Sequence, residues 1–476
     1  MVGLPSAIKS KKPYISHALF PLLKLLMAAK LLSSTIFPGL LLLSCTFIFL
    51  YTDLLSLRSP PNPILPNPTF SNSQTYPPPL SKTPSVHCIL TQGRWIWIQD
   101  PHYRPIYGPD CPFHRYAWNC LRNQRENMEG INSWRWKPQG CASPRIDPVA
   151  FLSSMRGRRI GFVGDSLNEN FLVSMLCILR TADGGARKWK RKRAWRGGHF
   201  PKYNVTVGYH RAVLLAKYES YGIAYVDQWW QPANQSNLSG QDGLKGTYRV
   251  DVDIPADDWV KITEFYDVLV FNTGHWWGPD KFPNETPLVF YKEGKPILPP
   301  LGIFEGLQVV LDSMVSFIER EVPRGTLKLW RTQSPRHFYG GDWNQNGSCL
   351  FDAPLEEGQV FGEELFLLVM GDLYQFGCCP CKQLDQWFDP KRKGANKEAR
   401  EVNRLIQRAL QGTGIQLLDL THLSEFRADA HPAIWLGKKD AVAVWGQDCM
   451  HWCLPGLPDT WVDILSALIL HHFETG

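Results

Sequence analysis

The stretch GFVGDSLNEN, residues 161–170, decides how the rest of the chain is interpreted. An apolar run over residues 160–163 ends at a glycine, and a helical pattern follows over residues 167–179. Asp165 and Ser166 stand between the two, at the tip of a predicted buried strand and at the start of a helix. A serine in that place is either a helix N-cap or a nucleophile, and the other residues of the chain must distinguish these roles.

Strands alternate with helices on the C-terminal side of this stretch. Further strands are predicted at residues 266–272, 327–334 and 415–423, and helices at residues 302–321, 397–410 and 460–473. This alternation predicts an α/β fold in which helices cover both faces of a central parallel sheet. Ligands of such sheets bind at the carboxyl ends of the strands, which is where Ser166 lies.

Two further groups of residues complete a candidate site. Asn272 ends the second strand, in FNTGHWW, and Asp448 and His451 stand three apart in QDCMHWCLPGLPDTW, just before the last helix. A serine nucleophile needs a base and a group that orients the base, and His451 with Asp448 supplies both. Each residue also has a structural interpretation, as a helix cap, a turn residue or a loop pair. Their occurrence together favours catalysis. His431, with Asp429 two residues before it, is the rival base.

The N-terminal part of the chain predicts a membrane anchor. Residues 31–51 are uncharged and long enough to cross a bilayer, and the lysines of residues 1–30 predict a cytosolic tail. Residues 52–87 are rich in proline and serine and are typical of a stem. A cleaved secretory signal is the alternative, but no small-residue cleavage site follows the apolar run closely. We therefore expect a type II protein whose body is lumenal.

Cysteines and glycosylation sequons agree with a lumenal body. Twelve cysteines are present, and all but Cys45 lie outside the predicted membrane span, which favours disulfides in an oxidising compartment. Their spacing is not that of a zinc site, so we expect no metal. Five sequons are candidate glycosylation sites, at Asn204, Asn234, Asn237, Asn284 and Asn346.

Two segments of the body differ in composition. Residues 88–155 are rich in cysteine and aromatic residues and predict a small subdomain of short strands and loops, and residues 156–476 predict the main α/β domain. The net charge of +7 is too diffuse to predict nucleic-acid binding. The basic run at residues 187–196 is a solvated loop or a cationic patch for an acidic glycan or a phosphate-bearing donor.

Several motifs in this order resemble the plant trichome-birefringence-like family of polysaccharide O-acetyltransferases. They are GDSL at residues 164–167, DCMHWCLPGLPDTW at residues 448–461, CPFHRYAWNC, WRWKP, CASPR at residues 141–145, FNTGHWW and RTQSPRHFYGGDWNQNGSC. The resemblance covers roughly residues 88 to 470. It implies the three-layer sandwich of SGNH/GDSL esterases, with a central parallel sheet and a small cysteine-rich N-terminal subdomain.

The resemblance also implies roles for individual residues. Ser166 would accept the acetyl group, His451 would be the base and Asp448 its partner. The backbone N–H of Ser166 with Asn272, and less firmly Gly164, would lie near the oxyanion. His275 and the neighbouring tryptophan in FNTGHWW, Trp276, are expected to line the acceptor cleft or to pack in the core.

The implied activity is transfer of an acetyl group, through acetyl-serine, to a hydroxyl of a wall polysaccharide in the Golgi lumen. The first expectation is xylan, with mannan, xyloglucan and pectin as alternatives. The acetyl donor is acetyl-CoA or a lumenal donor derived from it, and no cofactor is expected to stay bound. Glycan-synthesis and acetyl-transport proteins of the Golgi are the expected protein partners. The alternatives are an esterase with the same three residues and a non-catalytic polysaccharide-binding protein.

One position departs from the family pattern, and the disulfide pairing stays open. Many family members have Arg where this chain has Glu169, so the contact made by that Arg is in doubt. Cysteine spacing does not determine connectivity. The expected pairs are Cys88–Cys141 and Cys111–Cys177, and Cys449 and Cys453 are expected to bond to partners among Cys349, Cys378, Cys379 and Cys381.

Overall fold

The computed structural model describes ten segments of the chain: residues 88–98, 105–190, 196–221, 247–278, 281–282, 287–338, 347–349, 351–355, 395–434 and 447–475. The predicted tail, membrane span and stem lie outside them, as do all the sequons except Asn204, whose side chain is exposed. Among the helices of the described segments, none has the length and apolar character needed to span a bilayer.

Thirteen strands and seven α-helices are found in these segments. The strands are β1 (Ile89–Trp97), β2 (Trp134–Gln139), β3 (Arg159–Gly164), β4 (Arg187–Lys188), β5 (Arg196–Phe200), β6 (Val205–Arg211), β7 (Ala216–Tyr221), β8 (Thr247–Pro255), β9 (Val268–Phe271), β10 (Leu288–Lys292), β11 (Lys295–Pro296), β12 (Leu327–Arg331) and β13 (Gln416–Leu418). The helices are α1 (Met128–Asn132), α2 (Pro148–Ser154), α3 (Ser166–Arg180), α4 (Ile303–Glu321), α5 (Ala395–Leu410), α6 (Thr421–Glu425) and α7 (Leu457–Thr475).

The main sheet has seven strands in the order β13-β12-β9-β3-β6-β5-β4. The pairs from β13 to β6 are all parallel, whereas β5 is antiparallel to β6 and β4 is antiparallel to β5. The expected parallel sheet is therefore mixed. The reason is the connection: only a four-residue turn joins β5 to β6, and such a short link permits only antiparallel pairing.

Two apolar cores lie on opposite faces of this sheet. Phe162 and Val270 belong to the core that contains α3 and α7, while Leu269 and Phe271 belong to the core that contains α4 and α5. Successive residues of a strand point to opposite faces, so neighbours on β9 enter different cores. Helices thus cover both faces, as the alternating sequence pattern predicts.

A second sheet was not predicted. Its order is β11-β10-β8-β7, with β10 parallel to β8 and the other pairs antiparallel. In β8, TYRVDVDIP, polar residues alternate with Val250 and Val252, which enter the core beneath α4. A strand in which apolar and polar residues alternate lacks the continuous apolar run by which β3, β9, β12 and β13 were predicted.

The N-terminal segment is stapled to the main domain. β1 and β2 form an antiparallel pair, and Trp118, Trp136 and Phe151 belong to the same apolar core as α3. Four disulfides join Cys88–Cys141, Cys111–Cys177, Cys120–Cys453 and Cys349–Cys449. The first two are the expected pairs, and Cys349 was among the partners considered for Cys449.

The partner expected for Cys453 was wrong. It bonds to Cys120, at a sequence separation of 333 residues, and not to a cysteine of the C-terminal half. The cause is the docking of the N-terminal segment beside the last helix: the backbone N–H of Leu454 donates to the carbonyl oxygen of Trp118 at 2.9 Å. No local sequence signal reports this contact.

The Cys120–Cys453 bond should be the more stabilising of two disulfides that can be compared directly. Replacing both cysteines by serine is expected to lower the free energy of unfolding by about 3–5 kcal/mol, because the closed loop is long. The matched control removes Cys88–Cys141, whose separation is 53 residues, and should cost less. Thermal unfolding of both variants checks this, and an equal or larger loss in the control would contradict it.

Asp463 on α7 should make stability depend on pH. Burial raises its pKa to about 7, and the charge of Asp459 adds to the effect, although Asp463 also accepts a hydrogen bond from the N–H of Ile146 at 2.9 Å. The folded chain therefore holds this proton more tightly than the unfolded chain, and stability is lost as pH rises from about 4 to about 7. In Asp463→Asn this loss should be absent.

Denaturant unfolding of both proteins at several pH values tests the expectation. The difference in free energy of unfolding should shift in favour of Asp463→Asn as pH rises, and then level off above about pH 7. A difference that stays constant from pH 4 to pH 8 would show that Asp463 does not take up this proton.

Candidate active site

The turn between β3 and α3 is held by Asp165 and Asn272. Asp165 is the N-cap of α3 and accepts a hydrogen bond from the N–H of Leu167 at 3.0 Å. The Asn272 Nδ2–H donates to Asp165 Oδ1 at 2.7 Å, and the Asp165 N–H donates to Asn272 Oδ1 at 3.1 Å. Both residues are fully buried. The carboxyl ends of β3 and β9 are therefore joined by two reciprocal hydrogen bonds.

Gly164 is required by the same turn. Its φ is +141°, which side-chain-bearing residues rarely adopt, and a Cβ there would collide with the side-chain and backbone oxygens of Asn272. Tyr209, which is fully buried on β6, donates its hydroxyl to the carbonyl oxygens of Gly164 at 3.1 Å and Asp165 at 2.9 Å. The N-cap is Asp165, so Ser166 is free of the capping role considered for it.

Ser166, His451 and Asp448, called the triad below, are connected by hydrogen bonds. The Ser166 Oγ lies 2.8 Å from His451 Nε2, and His451 Nδ1 lies 2.9 Å from Asp448 Oδ2. Because a carboxylate only accepts, Nδ1 carries the ring proton and Nε2 is the acceptor for the serine hydroxyl. Asp448 is 1% exposed and Ser166 is half-buried, so the serine is partly accessible from solvent while the carboxylate is shielded.

The loop that carries His451 is fixed on both sides of the histidine. Asp448 Oδ1 accepts hydrogen bonds from the backbone N–H groups of Met450 and His451, at 3.2 and 3.0 Å. Asn170, one turn along α3 from the serine, bonds to Trp452 in both directions, with its Nδ2 to the carbonyl oxygen and its Oδ1 to the N–H, each at 3.1 Å. These bonds hold the imidazole opposite Ser166.

His431, the rival base, makes a hydrogen bond to the backbone of the loop that carries His451. Its Nδ1–H donates to the carbonyl oxygen of His451 at 2.7 Å, and its Nε2 lies 2.7 Å from Nδ1 of His337. Its ring is fully buried and stacks on Trp452. Both ring nitrogens therefore have partners, and His431 positions the loop that carries the base.

The N-terminal segment supplies one wall of the site. The Trp118 ring lies 4.9 Å from the His451 ring at an interplanar angle of 32°. Trp118 is 1% exposed, and Cys120, two residues further on, bonds to Cys453, two residues after the histidine. The cysteine-rich segment thus packs on the imidazole face, a contact that the sequence did not predict.

Comparison with known proteins places this geometry in a family. Residues 143–366 and 371–468 match the GDSL/SGNH-like acyl-esterase family found in Pmr5 and Cas1p, and residues 86–142 match the PMR5 N-terminal domain. Protein trichome birefringence-like 12 of Arabidopsis thaliana is 61% identical over 412 residues, which are 87% of this chain and 90% of that protein. The chain belongs to the trichome birefringence-like family.

Two more members of the family show how far the similarity extends. Protein trichome birefringence-like 13 of Arabidopsis thaliana is 40% identical over 91% of this chain and 96% of its own length. Protein trichome birefringence-like 6 of the same plant is 29% identical over 81% of this chain and 71% of its own length. The GDSL/SGNH-like acyl-esterase domain that carries the triad is therefore shared with these relatives.

The structure gives Glu169 a partner, although its position departs from the family pattern. Its side chain is 2% exposed and lies 2.9 Å from Arg196 Nε and 3.5 Å from Arg115 Nε. Arg196 is the last residue of the basic run, so at this end the run forms an ion pair with a buried carboxylate. The Arg115 guanidinium also lies over the Trp118 ring, at 5.0 Å from its centroid. Glu169 therefore anchors the same wall that contacts His451.

His275 and Trp276 lie beyond the end of β9, on the same edge of the sheet as Ser166. His275 is 5% exposed, and burial together with nearby basic side chains lowers its pKa well below the usual value. Trp276 is half-buried, with the Arg211 guanidinium 5.3 Å and the Lys281 ammonium 5.9 Å from its ring centroid. His275 is therefore buried and Trp276 partly exposed at this edge of the sheet, while Asn272 faces Asp165.

Two polar residues at the end of β12 were not predicted. Arg331 is fully buried, donates to Ser334 Oγ at 2.9 Å and lies over the Trp461 ring. Burial lowers its pKa to about 10, and the charge of Asp165 opposes that shift. Gln333 is 4% exposed and lies beside His275. The strand-end rule that selected Ser166 and Asn272 applies equally to the predicted strand at 327–334 and would have selected both.

The orienting role of Asp448 can be measured with an ester substrate. Asp448→Asn is expected to slow release of p-nitrophenol from p-nitrophenyl acetate by about 10³- to 10⁴-fold, because the amide favours the wrong tautomer of His451. The control is Asp312→Asn, which alters an exposed carboxylate on α4. A loss of less than tenfold, with the protein still folded, would contradict this role.

Proposed function

We propose that this protein is an O-acetyltransferase that moves an acetyl group through acetyl-Ser166 to a hydroxyl of a plant cell-wall polysaccharide. The observation that carries the proposal is the 2.8 Å contact between Ser166 Oγ and His451 Nε2, with Asp448 behind the ring. Membership of a family with acyl-esterase chemistry supports it. An intact, connected triad argues against a protein that only binds polysaccharide.

In the first half-reaction, Ser166 Oγ attacks the carbonyl carbon of the acetyl donor while His451 Nε2 takes the hydroxyl proton. The tetrahedral intermediate collapses, the bond from the carbonyl carbon to the leaving group breaks, and the imidazolium returns the proton to that group. The Asp448 carboxylate stabilises the imidazolium through its hydrogen bond to Nδ1–H. The product is acetyl-Ser166 and a neutral imidazole.

In the second half-reaction, a sugar hydroxyl replaces the leaving group. His451 Nε2 takes the proton of that hydroxyl as its oxygen attacks the acetyl carbonyl carbon, and the proton passes to Ser166 Oγ when the serine ester bond breaks. Water in the place of the sugar would make the same site an esterase. The partition between the two products depends on how well the acceptor fills the cleft.

The negative charge on the carbonyl oxygen needs hydrogen-bond donors. The backbone N–H of Ser166 belongs to the first turn of α3, where N–H groups lack partners within the helix and the helix dipole favours an anion. Asn272 Nδ2 uses one N–H on Asp165, which leaves its second N–H as a donor of the same amide. Arg331, fully buried nearby, adds positive charge without a carboxylate partner among the described ion pairs.

The cellular setting completes the proposal. A span at residues 31–51 would place the body in the Golgi lumen, where acetyl-CoA or a derived donor supplies the acetyl group. Asn204, exposed in the turn between β5 and β6, would be accessible to a glycan there. Xylan is the first candidate acceptor, and other hemicelluloses and pectin are the alternatives. Proteins of Golgi glycan synthesis and acetyl transport would be its neighbours.

The test uses the full-length chain, purified in detergent, with acetyl-CoA or p-nitrophenyl acetate as donor. Unacetylated xylan, mannan, xyloglucan and pectin oligosaccharides are the acceptors, and mass spectrometry follows the gain of acetyl groups. We expect one class of acceptor to gain acetyl groups, and Ser166→Ala to lose that activity because no acetyl-serine can form. Asp312→Asn is the matched control and should retain it.

Two results would contradict the proposal. Loss of acetyl groups from pre-acetylated oligosaccharides, without any transfer, would make the protein an esterase. Full transfer by a folded Ser166→Ala variant would remove the acetyl-serine intermediate from the mechanism.

A further inference from the structure

A small recess opens at the carboxyl ends of β9 and β12, on the same edge of the sheet as Ser166. His275, Gln333 and Arg336 supply its polar walls, and Gly274 and Gly278 contribute backbone. Its empty volume is about 210 Å³, which includes space open to solvent, so the walls enclose one functional group rather than a whole sugar ring. The mechanism proposed above does not use it.

His275 presents a hydrogen-bond donor to this recess. The Gln333 Nε2–H lies 3.4 Å from His275 Nδ1, and an amide N–H can only donate, so Nδ1 is the acceptor and the ring proton is on Nε2. Nε2 is buried and has no hydrogen-bond partner in the part of the chain that the structure describes. A buried N–H without a partner is costly, and a ligand that accepts its hydrogen bond would remove that cost.

The charges around His275 favour an anionic ligand. After burial, the groups that lower the pKa of His275 most are all basic side chains: Arg336, Arg331, His451 and Lys281. Arg336 lines the recess and is 6% exposed, so its guanidinium acts at low dielectric. Burial and these charges keep His275 neutral, as an N–H donor.

One acceptor in the same wall distinguishes between anions. Gln333 Oε1 is buried and makes no hydrogen bond within the described residues. A uronate offers a carboxylate to Arg336 and His275 and a neighbouring hydroxyl to Gln333 Oε1. A phosphate offers acceptor oxygens almost exclusively and would leave Gln333 Oε1 unsatisfied.

Two cations lie over the ring of Trp276, the neighbour of His275 in the chain. It directly follows His275 in the chain and is half-buried, so part of its ring is accessible. Arg211 and Lys281 both lie near its ring, at 5.3 and 5.9 Å from the centroid. These two cations add to the positive charge near His275, which favours an anionic glycan over a neutral one.

We propose that this recess binds the carboxylate of a uronate residue, so that the acceptor is an acidic glycan rather than a neutral one. The inference rests on the proposed function, because the bound glycan is an acceptor only if the protein transfers an acetyl group. Arg336 and His275 would hold the carboxylate oxygens, and Gln333 would accept a hydrogen bond from a sugar hydroxyl. A glycan held there, on the same edge of the sheet as Ser166, would present another of its hydroxyls to the acetyl-serine.

The test measures binding apart from catalysis. Full-length Ser166→Ala protein is titrated calorimetrically with oligogalacturonate and with the same oligosaccharide after its carboxylates are reduced to hydroxymethyl groups. We expect the acidic ligand to bind at least about tenfold more tightly. In Arg336→Gln that preference should fall by about tenfold or more, toward equal affinity for the two ligands, because a charge-assisted hydrogen bond is lost.

Three further variants control for misfolding and for a general loss of positive charge. Arg320→Gln removes an exposed arginine of α4, 65% exposed at the side chain, and should leave the preference unchanged. His275→Gln, which keeps an N–H donor, should retain more of the preference than His275→Leu. Thermal unfolding of each variant shows which of them are folded, and the folded ones decide the question.

The outcomes separate this inference from the proposed function. Equal affinity for the acidic and the reduced ligand, or an undiminished preference in folded Arg336→Gln and His275→Leu, would overturn the inference. If folded Arg336→Gln binds acetyl-CoA more weakly and the glycan as before, the recess binds a phosphate of the donor and the inference is overturned. If binding shows a carboxylate preference that depends on Arg336 but the unmutated protein transfers no acetyl group, the uronate site is supported and the proposed transferase function is contradicted.

Discussion

The pair of hydrogen bonds between Asp165 and Asn272 is the constraint on which the site depends. It joins the carboxyl ends of β3 and β9, and the same Asp165 oxygen also caps α3 through Leu167 N–H. Ser166 is therefore the first residue of a helix whose direction is set by two strands of the sheet. Removal of either side chain would leave buried donors and acceptors without partners, which costs more than the bonds contribute. The positive φ of Gly164 follows from the same packing, because Asn272 occupies the space that a Cβ would need.

The base reaches this serine from the other end of the chain, and several contacts fix its approach. Asn170 bonds to the backbone of Trp452 in both directions, and His431 bonds to the carbonyl oxygen of His451. The Cys120–Cys453 disulfide closes the arrangement. These contacts hold His451 beside Ser166 before the donor arrives. The loop therefore loses little conformational entropy when a substrate binds. The N-terminal segment is therefore joined to the main domain by a disulfide and also forms part of the active-site wall.

Charge is distributed unevenly over the site. Glu169 and Asp448 are both buried and both have basic partners, in Arg196 and His451. The cluster around His275, in contrast, is surrounded mainly by basic groups. Such an excess in a partly desolvated cleft raises the local concentration of anions and orients them. A neutral histidine, an arginine and an amide oxygen together discriminate by hydrogen bonding as well as by charge. The recess therefore combines attraction for acids with a requirement for a hydroxyl.

The sequence by itself determined the α/β class, four strands of the main sheet (β3, β9, β12 and β13) and the four long helices, because apolar runs and helical periodicity are local properties. It also determined which residue types could form a triad, since Ser166 ends a strand and Asp448 and His451 share one turn. Only the tertiary structure decided that β5 and β4 run antiparallel, that β7 and β8 form a second sheet, and that Cys453 pairs with Cys120. It also decided that His431 supports the loop and that Trp118 packs on His451. These contacts join segments far apart in the chain, and no periodicity or spacing reports a pairing that depends on how the whole core packs.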